Sequence, residues 1–168
     1  IIVERWTARG VELNGGEVIN ANQVLSSVPL RHTMVDLVDV AQLDPEYVHA
    51  VQNVRARGVT ARVHLALSRL PSFRGVDAEA LRGVISIAPD LDYIERAYDD
   101  AKYGRMSQKP LLEARIPSLV DGSLAPAGQH AMSVTMQYAP WQLRTGGWAE
   151  HERALGDVVI KILSEYAP

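Results

Sequence analysis

The sequence predicts an α+β fold: a mixed, largely antiparallel sheet with amphipathic helices packed on one face, preceded by an N-terminal β-hairpin. Three observations carry this. Residues 111–117 and 130–140 alternate apolar and polar side chains, the period of a half-buried strand, and so does 59–67. Residues 148–166 instead place Trp148, His151, Leu155, Val158, Val159, Ile162 and Tyr166 on one stripe at helical spacing. Strands and helices that each have one oily side bury them against one another, as a sheet with helices laid on it.

In chain order, Val11 to Leu13 and Glu17 to Ile19 flank Asn14-Gly15-Gly16, a hairpin signal because Asn-Gly accepts positive φ at both turn centres. Residues 21–28 read as a further strand stopped by Pro29, and Leu30, Met34, Leu37 and Val38 then give a short helix. Asp44-Pro45 pairs an N-cap with a proline at the first helical position, opening a helix with Tyr47, Val48, Val51 and Val54 on one side and its end expected near Gly58. Asp77 to Leu81 allows one helical turn. Residues 84–88 are almost continuously apolar, as expected of a strand interior to the sheet. Asp90 is the expected N-cap of a helix whose inner face is Leu91, Ile94, Ala97 or Tyr98, and Ala101, stopped by Gly104. Pro117 ends the first of the two central strands because proline cannot donate to a ladder.

Composition bounds the function. The 168 residues are 47% hydrophobic, enough for a core and for one domain or slightly more. Net charge is −3 with 17 basic and 20 acidic residues well mixed, so neither nucleic acid nor an anionic membrane surface is an expected partner. The absence of cysteine excludes disulfides, thiolate metal sites and thiol catalysis, and permits a reducing compartment; a cytoplasmic location is expected. Apolar runs fall far short of a membrane span. The chain opens without Met inside the strand-like run Ile1-Ile2-Val3, as a piece of a longer polypeptide would.

Few constellations carry chemistry. His32, His49, His130 and His151 are scattered without ligand spacing, so no metal is expected. Asp92, Glu95, Asp99 and Asp100 lie among Arg96 and Lys102 on one helix, where adjacent residues do not face each other, giving a solvated face. No serine sits in a Gly-x-Ser-x-Gly elbow. The polar side of the sheet would carry Arg62, His64, Thr135 and Gln137, the lining of a cavity or a solvated surface, with His64 a candidate for substrate contact. Tyr138 and Trp141, near Trp148 and Arg144, form the one aromatic-rich region and are further substrate-binding candidates beside a plain packing role. No catalytic residue stands out.

Three segments carry a resemblance: residues 10–29 (GVELNGGEVINANQVLSSVP), 87–104 (IAPDLDYIERAYDDAKYG), and 116–130 (IPSLVDGSLAPAGQH) continuing to Gln137-Tyr138-Ala139-Pro140. Together they resemble phytoene-dehydrogenase-like FAD-dependent oxidoreductases, in the branch typified by pyridine nucleotide-disulfide oxidoreductase domain-containing protein 2, over essentially the whole chain. The resemblance implies the middle of a flavoprotein. Residues 1–28 would be a hairpin and strand belonging to the FAD-binding domain, and 29–168 the substrate-binding domain. Ser26, Ser27 and Val28 would then contact FAD in the complete protein only. The Gly-x-Gly-x-x-Gly dinucleotide fingerprint is missing here, so no cofactor is expected on this piece alone. Its partners would be its own missing FAD-binding segments, a small apolar or amphipathic substrate, and another copy of itself through strand edges left uncovered at 1–28. The alternative from the residues alone is a non-catalytic α+β binding or oligomerisation module.

Overall fold

The structure, a computed structural model, describes residues 1–168. It divides into two compact units, Ile1–Ala56 and Arg57–Pro168, so the expected boundary at residues 28 and 29 falls inside the first.

The first unit holds a three-stranded antiparallel sheet in the order β1 (Ile2–Glu4), β2 (Thr7–Glu12), β3 (Val18–Asn20). The Asn14-Gly15 turn forms where expected, but with a different geometry. Leu13 pairs with Glu17 and positive φ falls on Gly16 alone, a three-residue loop rather than a two-residue one. The two-residue turn with positive φ at both centres is instead Arg5-Trp6, at 48° and 66°, joining β1 to β2. Neither residue has the short side chain that such φ values favour, which is why the sequence does not advertise it.

Residues 21–28 are not a strand. Beyond Ala21, whose N–H still bonds to the Arg9 carbonyl of β2 over 2.8 Å, they run as irregular chain outside the sheet, and Leu25 is 99% exposed. The short helix over His32–Leu37 is π-wound, with Val38 N–H bonded to the Thr33 carbonyl. Helix α1 (Pro45–Asn53) starts as expected, Asp44 accepting from the backbone N–H of Glu46 and Tyr47, but stops at Asn53 rather than near Gly58. Of its apolar residues only Val51 is buried. The short face gives little reason for the helix to continue.

The second unit is a four-stranded antiparallel sheet in the order β4 (Thr60–Leu67), β7 (His130–Gln137), β6 (Leu111–Arg115), β5 (Ile85–Ile87). The central pair aligns Leu112 with Met136 and Ala114 with Val134, and all four are shut off from solvent. Helix α3 (Trp148–Tyr166) closes that face with Leu155, Val159, Ile162 and Leu163, and Phe73, Leu81, Ile87, Ile116 and Met132 complete the core. Strand β5 is at the sheet edge, not its interior. Its apolarity comes from Ile85 and Ile87 facing the core while Val84 is exposed.

Helix α2 (Leu91–Lys102) has Asp90 as N-cap, accepting from Tyr93 N–H, and ends just before Gly104. Its inner face is the expected one in Ala97 and Ala101, which are buried, and Ile94, which is half-buried, but Leu91 is 79% exposed. Tyr93 takes the place expected of Leu91, its hydroxyl donating to the Pro110 carbonyl at the start of β6 over 2.9 Å. No helix is long and apolar enough to cross a membrane.

Leu112→Ala should lower stability by about 3 kcal/mol, because it empties a fully enclosed site between sheet and α3. A fall in the urea midpoint at unchanged slope would show it. Arg5→Asn combined with Trp6→Gly should stabilise the first hairpin by about 1 kcal/mol, read as slower amide exchange in β1 and β2. Tyr93 is held above the ordinary tyrosine pKa, first by burial and then by the nearby Tyr166 and Glu165. The folded state therefore keeps this proton where the unfolded chain releases it, so its contribution is complete below about pH 10 and is lost as pH rises through the folded pKa. Tyr93→Phe should cost about 1 kcal/mol at pH 8, where the hydrogen bond is intact, and the gap to wild type should narrow in urea melts above about pH 10.

Candidate functional site

Because α3 seals one side of the second unit's sheet, strand periodicity turns the other set of side chains outward. The register sorts them into rows. His64 lies opposite Ser133, and Ser133 opposite Arg115. Arg62 lies opposite Thr135, then Glu113, then Ser86. With strands about 4.8 Å apart, each row spans the sheet as a short ladder of donors and acceptors. Arg62, His64 and Arg115 are exposed; Glu113, Ser133 and Thr135 are half-buried. None of the charged members is spent on an ion pair; the pairs that exist are Arg9–Glu4, His32–Asp36, Arg96–Asp92 and Arg105–Asp100. The face can therefore hydrogen-bond a bound molecule without first breaking an internal contact. Glu113, Ser133 and Arg115 belong to it as much as the four residues expected from the sequence.

The aromatic candidates sit elsewhere. Tyr138 follows β7, five residues beyond Ser133, about 17 Å along a strand at about 3.3 Å per residue. The structure thus does not bring His64 together with Tyr138. The Tyr138 ring meets Tyr98 of α2 edge-on, centroids 5.3 Å apart and planes at 74°. Trp148 donates its indole N–H to the Pro140 carbonyl over 3.0 Å, and Arg144 N–H bonds to the Gly104 carbonyl. Gly104 has φ of 71°, and a Cβ there would stand 3.0 Å from Arg144 N, so the end of α2 and this segment are tightly apposed. Trp141 remains 64% exposed. Tyr138 and Trp148 are packing residues here, and Trp141 is the aromatic side chain left free.

The segments behind the resemblance brace the chain. In the loop between β6 and β7, Ser118 is buried and its hydroxyl accepts from Ala131 N–H at 3.1 Å while lying 3.3 Å from His130 Nδ1. Asp121 accepts from both the backbone N–H and the hydroxyl of Ser123, at 2.9 and 2.7 Å, and these bonds hold its carboxyl below the ordinary carboxylate value.

In the first unit, Ser26 and Val28 line a cavity of about 530 Å³ together with Ile1, Val3, Met34 and Leu43, while Ser27 is exposed. The Ser26 hydroxyl lies 2.7 Å from that of buried Thr33, which donates to the Val28 carbonyl over 3.4 Å. These groups satisfy one another. The unit's strands are all antiparallel and none feeds a helix carrying a glycine-rich turn, so the residues present do not by themselves fit a dinucleotide. No buried polar side-chain atom lacks a partner, and no three metal-binding side chains gather.

No protein-family model matches the chain. Curated proteins similar to it over nearly its full length include a mouse and a rat protein, both called pyridine nucleotide-disulfide oxidoreductase domain-containing protein 2. The mouse protein is 32% identical over 171 aligned residues, covering 96% of this chain and 29% of its own length. The rat protein is 31% identical over 170, covering 95% and 29%. The chain is thus homologous to a segment of these proteins, and it spans less than a third of the length of the curated relatives it matches.

Proposed function

We propose that this chain is the substrate-domain portion of a flavin-dependent oxidoreductase of the phytoene-dehydrogenase-like kind, acting on an apolar or amphipathic molecule in the cytoplasm. The observation that carries the proposal is the similarity to named oxidoreductase-domain proteins across 96% of the chain. FAD, bound by the rest of such a protein, would accept the hydride. The role of this chain is to bind and orient.

The second unit supplies a rigid sheet with one sealed face and one face of unspent polar groups, Arg62, His64, Glu113, Ser133 and Arg115 among them. A wall of that kind positions a substrate through a few hydrogen bonds while the core behind it keeps the geometry fixed. In the first unit, residues 22–28 lie outside the sheet and expose Leu25. In the proposed whole protein they run beside the dinucleotide-binding segments, with Ser26 and Val28 nearest the cofactor.

The full-length gene product, purified and reconstituted with FAD, should absorb between about 350 and 500 nm through the bound isoalloxazine ring. The 168-residue chain treated in the same way should stay colourless. A full-length product that takes up no flavin would overturn the redox assignment and leave a binding or oligomerisation module.

A further inference from the structure

At the end of β6, on the side of the sheet bordered by β5, a cleft of about 340 Å³ opens between two 3₁₀ turns, Ala80–Arg82 and Pro117–Leu119. Its charged lining is Arg82, Arg115 and Asp121. Neither arginine takes part in an ion pair. Asp121 is exposed, and its carboxylate is already engaged by two hydrogen bonds from Ser123. Both guanidinium groups ride on anchored backbone: buried Leu81 fixes the turn that ends at Arg82, and buried Ile116 follows Arg115. The remaining walls are apolar, and Val84, Val120 and Leu124 are exposed around them, at 43%, 73% and 51%.

Two guanidiniums with no ion-pair partner beside three exposed apolar side chains set positive charge and apolar surface side by side, a combination matched by an amphipathic anion. We infer that this cleft is a binding site for an amphipathic monocarboxylate. The carboxylate accepts hydrogen bonds from Arg82 and Arg115, whose planar donor forks suit it, and the hydrocarbon portion lies over Val84, Val120 and Leu124. The lining carries two positive charges and one negative, so a single negative charge on the ligand balances it and a dianion does not. The volume lies at the small end of the range for small-molecule sites. The inference stands on this cleft alone and does not need the redox assignment.

Decanoate, kept below its micelle concentration, is the probe, with acetate and decanol as controls, each titrated calorimetrically into the 168-residue chain. Decanoate should bind saturably, and acetate and decanol each at least about ten-fold more weakly, since each lacks one half of the match. Arg82→Ala with Arg115→Ala should weaken decanoate by about ten-fold or more, and the two arginine-to-lysine variants should retain part of the affinity. Both side chains are exposed, so unchanged circular dichroism is expected of these variants. No saturable decanoate binding, equal binding of decanol, or undiminished binding by the double alanine variant would each overturn the site. None of these results would alter the flavin spectrum of the full-length product.

Discussion

The pairing of β6 with β7 sets Leu112 against Met136 and Ala114 against Val134, and the rest of the second unit follows from it. Those four side chains stand on the same side of the sheet at the centre of the apolar cluster, and only α3, with Val159 at its middle, is long and oily enough to cover them. Because strand side chains alternate, sealing one side commits Glu113, Arg115, Ser133 and Thr135 to the other. A slip of one residue would exchange the two sets, burying charge and exposing methyl groups, so the same packing that stabilises the unit also fixes which groups it offers to the outside.

Much of this was legible in the sequence where local chemistry and tertiary demand agree. Asp44 and Asp90 cap their helices because aspartate accepts the free N–H groups of a first turn, a requirement that does not depend on the fold. The stripe of α3 and the alternation of β4, β6 and β7 were equally readable. The misjudged places are those decided by neighbours distant in the chain. Residues 22–28 have strand-like composition but join no ladder of the sheet. The apolar run at β5 suits an edge whose two isoleucines reach the core. Helix α2 turned its tyrosine inward because the Pro110 carbonyl was there to receive it. Arg5-Trp6 carries a turn that its residue types do not announce.

The candidate site divides along the same line. Periodicity was enough to place Arg62, His64, Thr135 and Gln137 on one side, but which residues lie across from them is a matter of register. Arg115 and Ser133 beside His64 therefore emerged only from the fold. The aromatic group was legible as a group but not as a contact, for nothing in the spacing of Tyr98 and Tyr138 says that the end of α2 passes the end of β7. The serine pair at 26 and 27 separated into one hydroxyl bonded inward to Thr33 and one left in solvent, a choice made by the direction of an irregular backbone.

The close apposition of Gly104 to Arg144 joins two stretches of chain that are 40 positions apart in the numbering. A methyl group at Gly104 would stand 3.0 Å from Arg144 N and press on its backbone, so the two stretches move together rather than alone. An insertion or bulkier residue near the end of α2 would push the loop after β7, and through it the start of α3 and the lid on the core. Evolutionary variation in this region is accordingly expected to be concerted, with changes around residue 104 accompanied by compensating ones around 144.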